Sequence, residues 1–358
     1  MISSKTYDAF LALTRLGIGN SAIILPSTFD WSEIQKLAEL HGLSAVVLDG
    51  VENLPEDKRP PKEFTLQWIG GVIQNYEHRY EQYCKVIAEM SGFYSNHGIK
   101  MMVLKGYGCG LNWPMPNHRP CGDIDIWQFG KLKEADELIA KEKGIKVDTS
   151  HHHHTVFYWR DFMVENHFDF INVHHHKSNV ELEDILKELG EDDTHSVELL
   201  GEKIYLPSPN LNALFLLKHI MMHFAAEGIM LRQVIDWGFF AKVNGKEIDW
   251  VWLETILKRF GMVGMYNCLN AICVDDLGFD ASVFPLVQFN PDTKDRVLKE
   301  IISPEFGVEL PSALIKRVFY KIRRWKGSVW KHKLCYNESL WSAFWSGVWN
   351  HLLKPSSI

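Results

Sequence analysis

Residues 119–127 read RPCGDIDIW, and the alternation inside them decides how the middle of the chain is read. Asp123 and Asp125 alternate with Ile124 and Ile126. That period of two predicts a β-strand with both carboxylates on one face and both isoleucines on the other. Carboxylates this close repel unless a positive charge lies between them. Hard oxygen donors of this kind suit Mg²⁺, which keeps its other positions for water and phosphate. A strand end whose aspartates merely face solvent is the plainer alternative that the spacing alone leaves open.

Upstream, IKMMVLKG (99–106) reads as a short strand that stops at Gly106, and PMPNHRPCG (114–122) as a loop. The Lys105-Gly106 turn and a helix start after it would offer backbone N–H groups to a phosphate. Downstream, KLKEADELIAKEKG (131–144) has the apolar spacing of an amphipathic helix closed by glycine. IKVDT (145–149), TVFYWR (155–160) and FMVENHFDFINVHHH (162–176) are rich in β-branched and aromatic residues and predict strands. On the last of these, Glu165 shares a face with Met163 and His167, and completes a three-carboxylate cage if its strand lies beside the aspartates. Asp169 follows at the same period, so the third carboxylate is open between Glu165 and Asp169. Residues 98–180 therefore read as a mixed α/β domain. A helical N-terminal region (1–97) precedes it, with Asp30 as an N-cap and Glu33 three residues on. A helical C-terminal domain (181–358) follows, with one strand candidate in KIYLP (203–207) and a strongly apolar stretch at 210–243.

The chain has 358 residues, 46% hydrophobic and 23% charged, with a net charge of −7. This is the balance of a folded protein, not of a general nucleic-acid or membrane binder. Six cysteines without a C-x-x-C pair, no signal-peptide pattern in the first fifteen residues and no membrane-spanning apolar run predict a cytoplasmic protein with free thiols. Histidine runs at 151–154 and 174–176 either cap the sheet edge or bind transition metals. His219 and His223 lie four apart on a helix, yet no glutamate follows His219, so they read as core or site-lining residues. Arg232 and Asp236 form either an ordinary i,i+4 pair or a cleft-facing arginine and its anchor. Lys316, Arg317, Lys321, Arg323, Arg324, Lys326, Lys331 and Lys333 fall within an acid-free segment, followed by Trp341, Trp345 and Trp349. The segment 316–349 reads either as a contact for RNA, an anionic membrane surface or an acidic partner, or as the solvated face of an aromatic bundle.

Taken together, Lys105-Gly106, Arg119 with Gly122-Asp123-Ile124-Asp125, Glu165-Asn166-His167-Phe168 and HF-x-x-EGI-x-LRQ-x-x-DW (223–237) resemble the nucleotidyltransferases of the DNA polymerase beta superfamily. More narrowly, they resemble the bacterial group described as uncharacterised nucleotidyltransferases. The resemblance, with AELHGLSAVVLDG (38–50), spans most of residues 30–240. It implies an α+β fold, a nucleotidyltransferase-like mixed sheet with helices. It implies that Asp123, Asp125 and Glu165 hold Mg²⁺, with Mn²⁺ able to replace it. It also implies an NTP substrate whose nucleoside monophosphate passes to an acceptor hydroxyl on a small molecule, saccharide, protein or RNA. Lys105, Gly106, Arg119 and Arg232 would meet the phosphates, and His167, Asp169, His223 and Asp236 would line the site. The chain departs from the superfamily in having Gly106-Tyr107 where a glycine-serine pair is usual, and a longer gap to Asp123. A catalytically inactive nucleotide-binding or regulatory protein on this fold and a histidine-rich metal-binding protein are the competing readings.

Overall fold

Six strands form one mixed sheet in the order β3-β4-β2-β1-β6-β5. They are β1 (Met102–Val103), β2 (Ile124–Trp127), β3 (His154–Trp159), β4 (Phe162–His167), β5 (Ser196–Leu199) and β6 (Glu202–Tyr205). The computed structural model describes residues 3–20, 24–151, 153–174, 176–191, 193–285, 288–306 and 314–339. Hairpins join β3 to β4 and β5 to β6, whereas β2 runs parallel to β4 and β1 parallel to β6. The fold is thus mixed α+β, as the sequence predicts. The sheet extends beyond residue 180, because β6 supplies the parallel neighbour of β1 and brings the unforeseen β5 with it.

Strand alternation sorts the two faces. Ile124, Ile126, Val164 and Phe157 are fully or almost fully buried on one face, against Ile87 and Met90 of the helix His78–Ser95 and Ala135 and Ile139 of the helix Leu132–Lys143. Burying each such aliphatic or aromatic side chain contributes about 1.5–3 kcal/mol. That face also carries Asn166, whose amide donates to Gln128 (2.9 Å) and to Asp136 (2.8 Å), while Thr155 donates to the same Asp136 carboxylate (2.9 Å). The other face presents Asp125, Trp127, Glu165, His167 and His154. Part of it is covered by the helix Lys177–Glu191, where Trp127 packs on Phe170 and both lie close to the Cα of Gly190.

The chain divides into two compact units, of which one comprises Gln74–Leu216, Glu247–Asp249 and Glu338–Ile358 and contains the whole sheet. The other comprises Met1–Ile73, Leu217–Lys246 and Trp250–Asn337 and, in its described residues, is built from helices. In that unit Asp30 caps the helix Trp31–Leu40 by accepting from the N–H groups of Ser32 and Glu33, and Glu33 accepts from the Thr6 hydroxyl at 3.0 Å. The buried Trp237 indole donates to Asn270 at 2.7 Å.

The basic run lies on the helix Leu314–Cys335 of this unit. There Lys331 is buried and pairs with Glu300, Arg324 donates to the Ala226 carbonyl, and Arg296 stacks over Trp330. The side chains of Lys316, Arg317 and Lys321, and the residues Trp341, Trp345 and Trp349, lie outside the described parts. No helix among the described residues is long and apolar enough to cross a membrane. None of the six cysteines is in a disulfide among the described residues.

Candidate active site

Register brings the acidic residues together. In the parallel pair of β2 and β4, Asp125 lies directly beside Glu165 and Trp127 beside His167; across the hairpin, His154 lies beside His167 and Val156 beside Glu165. Side chains of paired residues share a face, so two carboxylates and two imidazoles converge. Asp125 is 3% exposed, and a bare carboxylate there would cost several kcal/mol in lost hydration. Its Oδ1 instead accepts from the Lys105 ammonium at 2.7 Å and from His167 Nε2 at 3.0 Å.

Strand alternation would not put Lys105 on this face. Regular pairing of β1 stops at Val103, although the Leu104 N–H still donates to the Asp125 carbonyl at 3.0 Å. The chain then leaves the strand at Gly106, with φ +54°. A Cβ at Gly106 would sit 2.2 Å from the Tyr83 hydroxyl, which donates to the Asp123 carbonyl at 3.0 Å. Glycine is therefore required here both by the backbone angle and by the close approach of the tyrosine. The helical segment that follows is a single turn, Tyr107–Gly110.

Protonation follows this geometry. Burial disfavours the charge on Asp125, but Lys105 and His167 outweigh it and hold the carboxyl far below the usual carboxylate range. Burial likewise opposes a charged His167, and hydrogen bonds to Asp125 and Glu165 overcome it, so the imidazolium is favoured. His167 Nδ1 lies 3.3 Å from the Asp169 carbonyl, so in that form both ring nitrogens donate. Lys105 is raised in the same way by Asp125 against burial. Glu165 is lowered, with the His167 hydrogen bond outweighing its burial. Asp123 goes the other way: burial first, then the charge of Asp125, push its carboxyl up. His153 is pushed down to about 2 by burial and then by His167, and His154 to about 4, mainly by burial.

Two sets of metal-binding donors meet within 4.8 Å among the described residues: Asp125, Glu165 and His167, and His153, His154 and His167. Asp123 joins neither set, although its carboxyl feels the charges of Asp125, Lys105 and Glu165. Asp169 lies past the end of β4 and is ion-paired to Lys187. Arg119 donates to the carbonyl of Pro120 at 3.3 Å. The cluster is built wholly from the sheet-containing unit. Arg232 and Asp236, on the helix Leu231–Asn244, and His223, whose ring meets His219 at 4.4 Å, belong to the other unit. Tyr83, which supports the Asp123 backbone, went unnoticed in the sequence because a tyrosine at a core-facing helical position carries no distinguishing pattern.

Donor atoms of Asp125, Glu165 and His167 lie within 4.8 Å of one another and could hold a divalent ion; in this structure Lys105 and His167 balance the two carboxylates. The acidic pair is thus held between two strands of a mixed sheet, beside a lysine-glycine turn. A family model described as uncharacterised nucleotidyltransferase matches residues 27–274, and the chain belongs to that family. No curated protein matches the chain. A solved structure, that of an antigenic nucleotidyltransferase-like protein from Paracoccidioides brasiliensis, is similar at 15% identity and a TM-score of 0.37, covering 56% of this chain and 95% of that one.

Proposed function

We propose that the protein is a Mg²⁺-dependent nucleotidyltransferase that moves a nucleoside monophosphate from an NTP to an acceptor hydroxyl. The observation that carries this reading is the side-by-side register of Asp125 and Glu165, with the Lys105 ammonium 2.7 Å from Asp125 at the mouth of a glycine turn.

Asp125 and Glu165, which already converge, would hold Mg²⁺, or Mn²⁺ in its place, and Asp123 would complete the set by turning its carboxyl toward them. When bound, such an ion lowers the pKa of an attacking hydroxyl and neutralises charge on the departing pyrophosphate. The chain's own groups do the rest. Glu165 is the more exposed member of the β2–β4 pair, with its side chain 19% accessible, and accepts the proton of the acceptor hydroxyl. His167, tethered through Nδ1 to the Asp169 carbonyl, keeps Asp125 and Glu165 in place through Nε2. Lys105 is the fixed cation that faces the triphosphate, where charge grows in the transition state. Arg119 is the candidate second cation. The acceptor is a hydroxyl of a small molecule, saccharide, protein or RNA.

The test is the Asp123→Ala, Asp125→Ala double variant, incubated with each labelled NTP, Mg²⁺ and a cell lysate. Wild-type protein is expected to label an acceptor, and the double variant to lose at least about a hundredfold of that activity while keeping its far-UV spectrum. Undiminished labelling refutes the assignment. NTP binding by the wild type without any turnover would favour the non-catalytic reading.

A further inference from the structure

The proposed chemistry leaves His153 and His154 of the second donor set unused. One nitrogen each from His153, His154 and His167 lies within 4.8 Å of the other two. Zinc–nitrogen bonds of about 2.0–2.1 Å require nitrogens about 3.4 Å apart in a tetrahedral site, so small side-chain rotations close the set around an ion. The three rings already cluster, edge-on or tilted to one another. Centroids are 4.4 Å apart for His153–His154, 5.5 Å for His153–His167 and 5.3 Å for His154–His167. His153 Nε2 and His154 Nδ1 meet at 3.2 Å, and the buried His153 Nδ1 has no hydrogen-bond partner.

The backbone holds the arrangement. His153 precedes β3, and its carbonyl accepts from the N–H groups of Phe168 and Asp169 just past the end of β4. His154 and His167 are cross-strand partners. Two donors therefore come from paired strands, and the third is tied to the end of β4 through its backbone carbonyl. His151, exposed, stacks on His154 at 4.8 Å at the outer edge.

We propose that His153, His154 and His167 form a binding site for a transition-metal ion of the Zn²⁺ class, adjoining the carboxylate position and sharing His167 with it. Imidazole nitrogen suits Zn²⁺ and its neighbours in the first transition row, whereas Mg²⁺ prefers oxygen. Three histidines leave one coordination position open for water or a ligand. Because His167 belongs to both donor sets, an ion on the histidines takes that ring as neutral imidazole, releasing one ring proton to solvent and drawing the ring away from Asp125. The site stands on these distances alone and does not depend on nucleotidyl transfer.

The test uses the full-length, metal-stripped protein without NTP or Mg²⁺, titrated with Co²⁺ as a spectroscopic substitute for Zn²⁺. One equivalent is expected to give the visible absorption of a low-coordinate nitrogen site, and Zn²⁺ to abolish it. His153→Ala and His154→Ala should each weaken binding by at least about tenfold. His174→Ala with His176→Ala, in the other histidine run, should leave it unchanged, and Glu165→Gln should retain it. His153 is only partly buried, and matching thermal midpoints will show that its alanine variant is folded. Affinity unaffected by His153→Ala, or binding lost in Glu165→Gln but kept in both histidine variants, overturns the proposal.

Discussion

Replacing Lys105 with methionine tests the electrostatics of the site directly. The ammonium lies 2.7 Å from Asp125, and the lysine side chain is 16% exposed. At an effective dielectric constant of about 20, the gross attraction at that distance is ~6 kcal/mol. Relief from burying the ammonium offsets part of this, and His167, 3.0 Å from the same oxygen, goes on neutralising Asp125. The net loss should therefore fall near the lower end of the range for breaking a buried ion pair, about 3 kcal/mol. Urea unfolding of Lys105→Met, Asp125→Asn and the double variant measures it. The double variant should be less destabilised than the sum of the singles by about 2–3 kcal/mol, because the uncompensated charge disappears with Asp125. Added Mn²⁺ should stabilise Lys105→Met more than wild type, since a divalent ion would replace the lost charge. Additive single losses, or a Lys105→Met cost below about 1 kcal/mol, would show that Lys105 does not balance Asp125.

Three further outcomes are expected. Glu165→Gln should lower turnover by at least about a hundredfold, whereas Asp169→Asn, which breaks only the pair with the half-exposed Lys187, should cost about 1 kcal/mol or less of stability and little activity; the reverse order in a labelling assay would reassign the third carboxylate. Gly106→Ala, at φ +54° and 2.2 Å from the Tyr83 hydroxyl, should destabilise by about 1–3 kcal/mol, and Tyr83→Phe should relieve the clash but not the backbone cost, as denaturation of the single and double variants will show. His41 accepts the Leu231 N–H at Nδ1, and burial lowers its pKa from 6.5 to about 4. Its contribution is therefore complete above pH 6.5 and is lost as the pH falls toward 4, by about 3 kcal/mol in all; an unfolding free energy with the same acid slope in wild type and His41→Asn would refute this.

The alternation of Ile124, Asp125 and Ile126 is a local property, and it survives folding: the isoleucines are buried in the core and Asp125 turns the other way beside Glu165, whereas Asp123 lies just before the strand. The helix closed at Gly144, which is in the left-handed conformation, was legible for the same reason. Glu165 was placed on the right face of its strand by period two. Its lateral distance from Asp125 depended on β2 and β4 being neighbours, which no local pattern specifies.

Other features lay beyond such reading. Asp169 keeps Glu165's period only while the strand continues, and the strand ends at His167. β5 escaped notice because its half-buried residues carry little apolar contrast. Lys105 reaches Asp125 only because the chain leaves strand geometry at Gly106. Likewise, the run 151–154 read as a row of equivalent histidines, until the hairpin set His154 against His167 and turned His153 toward both. Periodicity assigns a side chain to a face with the information of a few neighbouring residues. Which charges end up within 3 Å of one another depends on strand order and on where strands stop, and those are settled by burial and backbone pairing across the whole sheet.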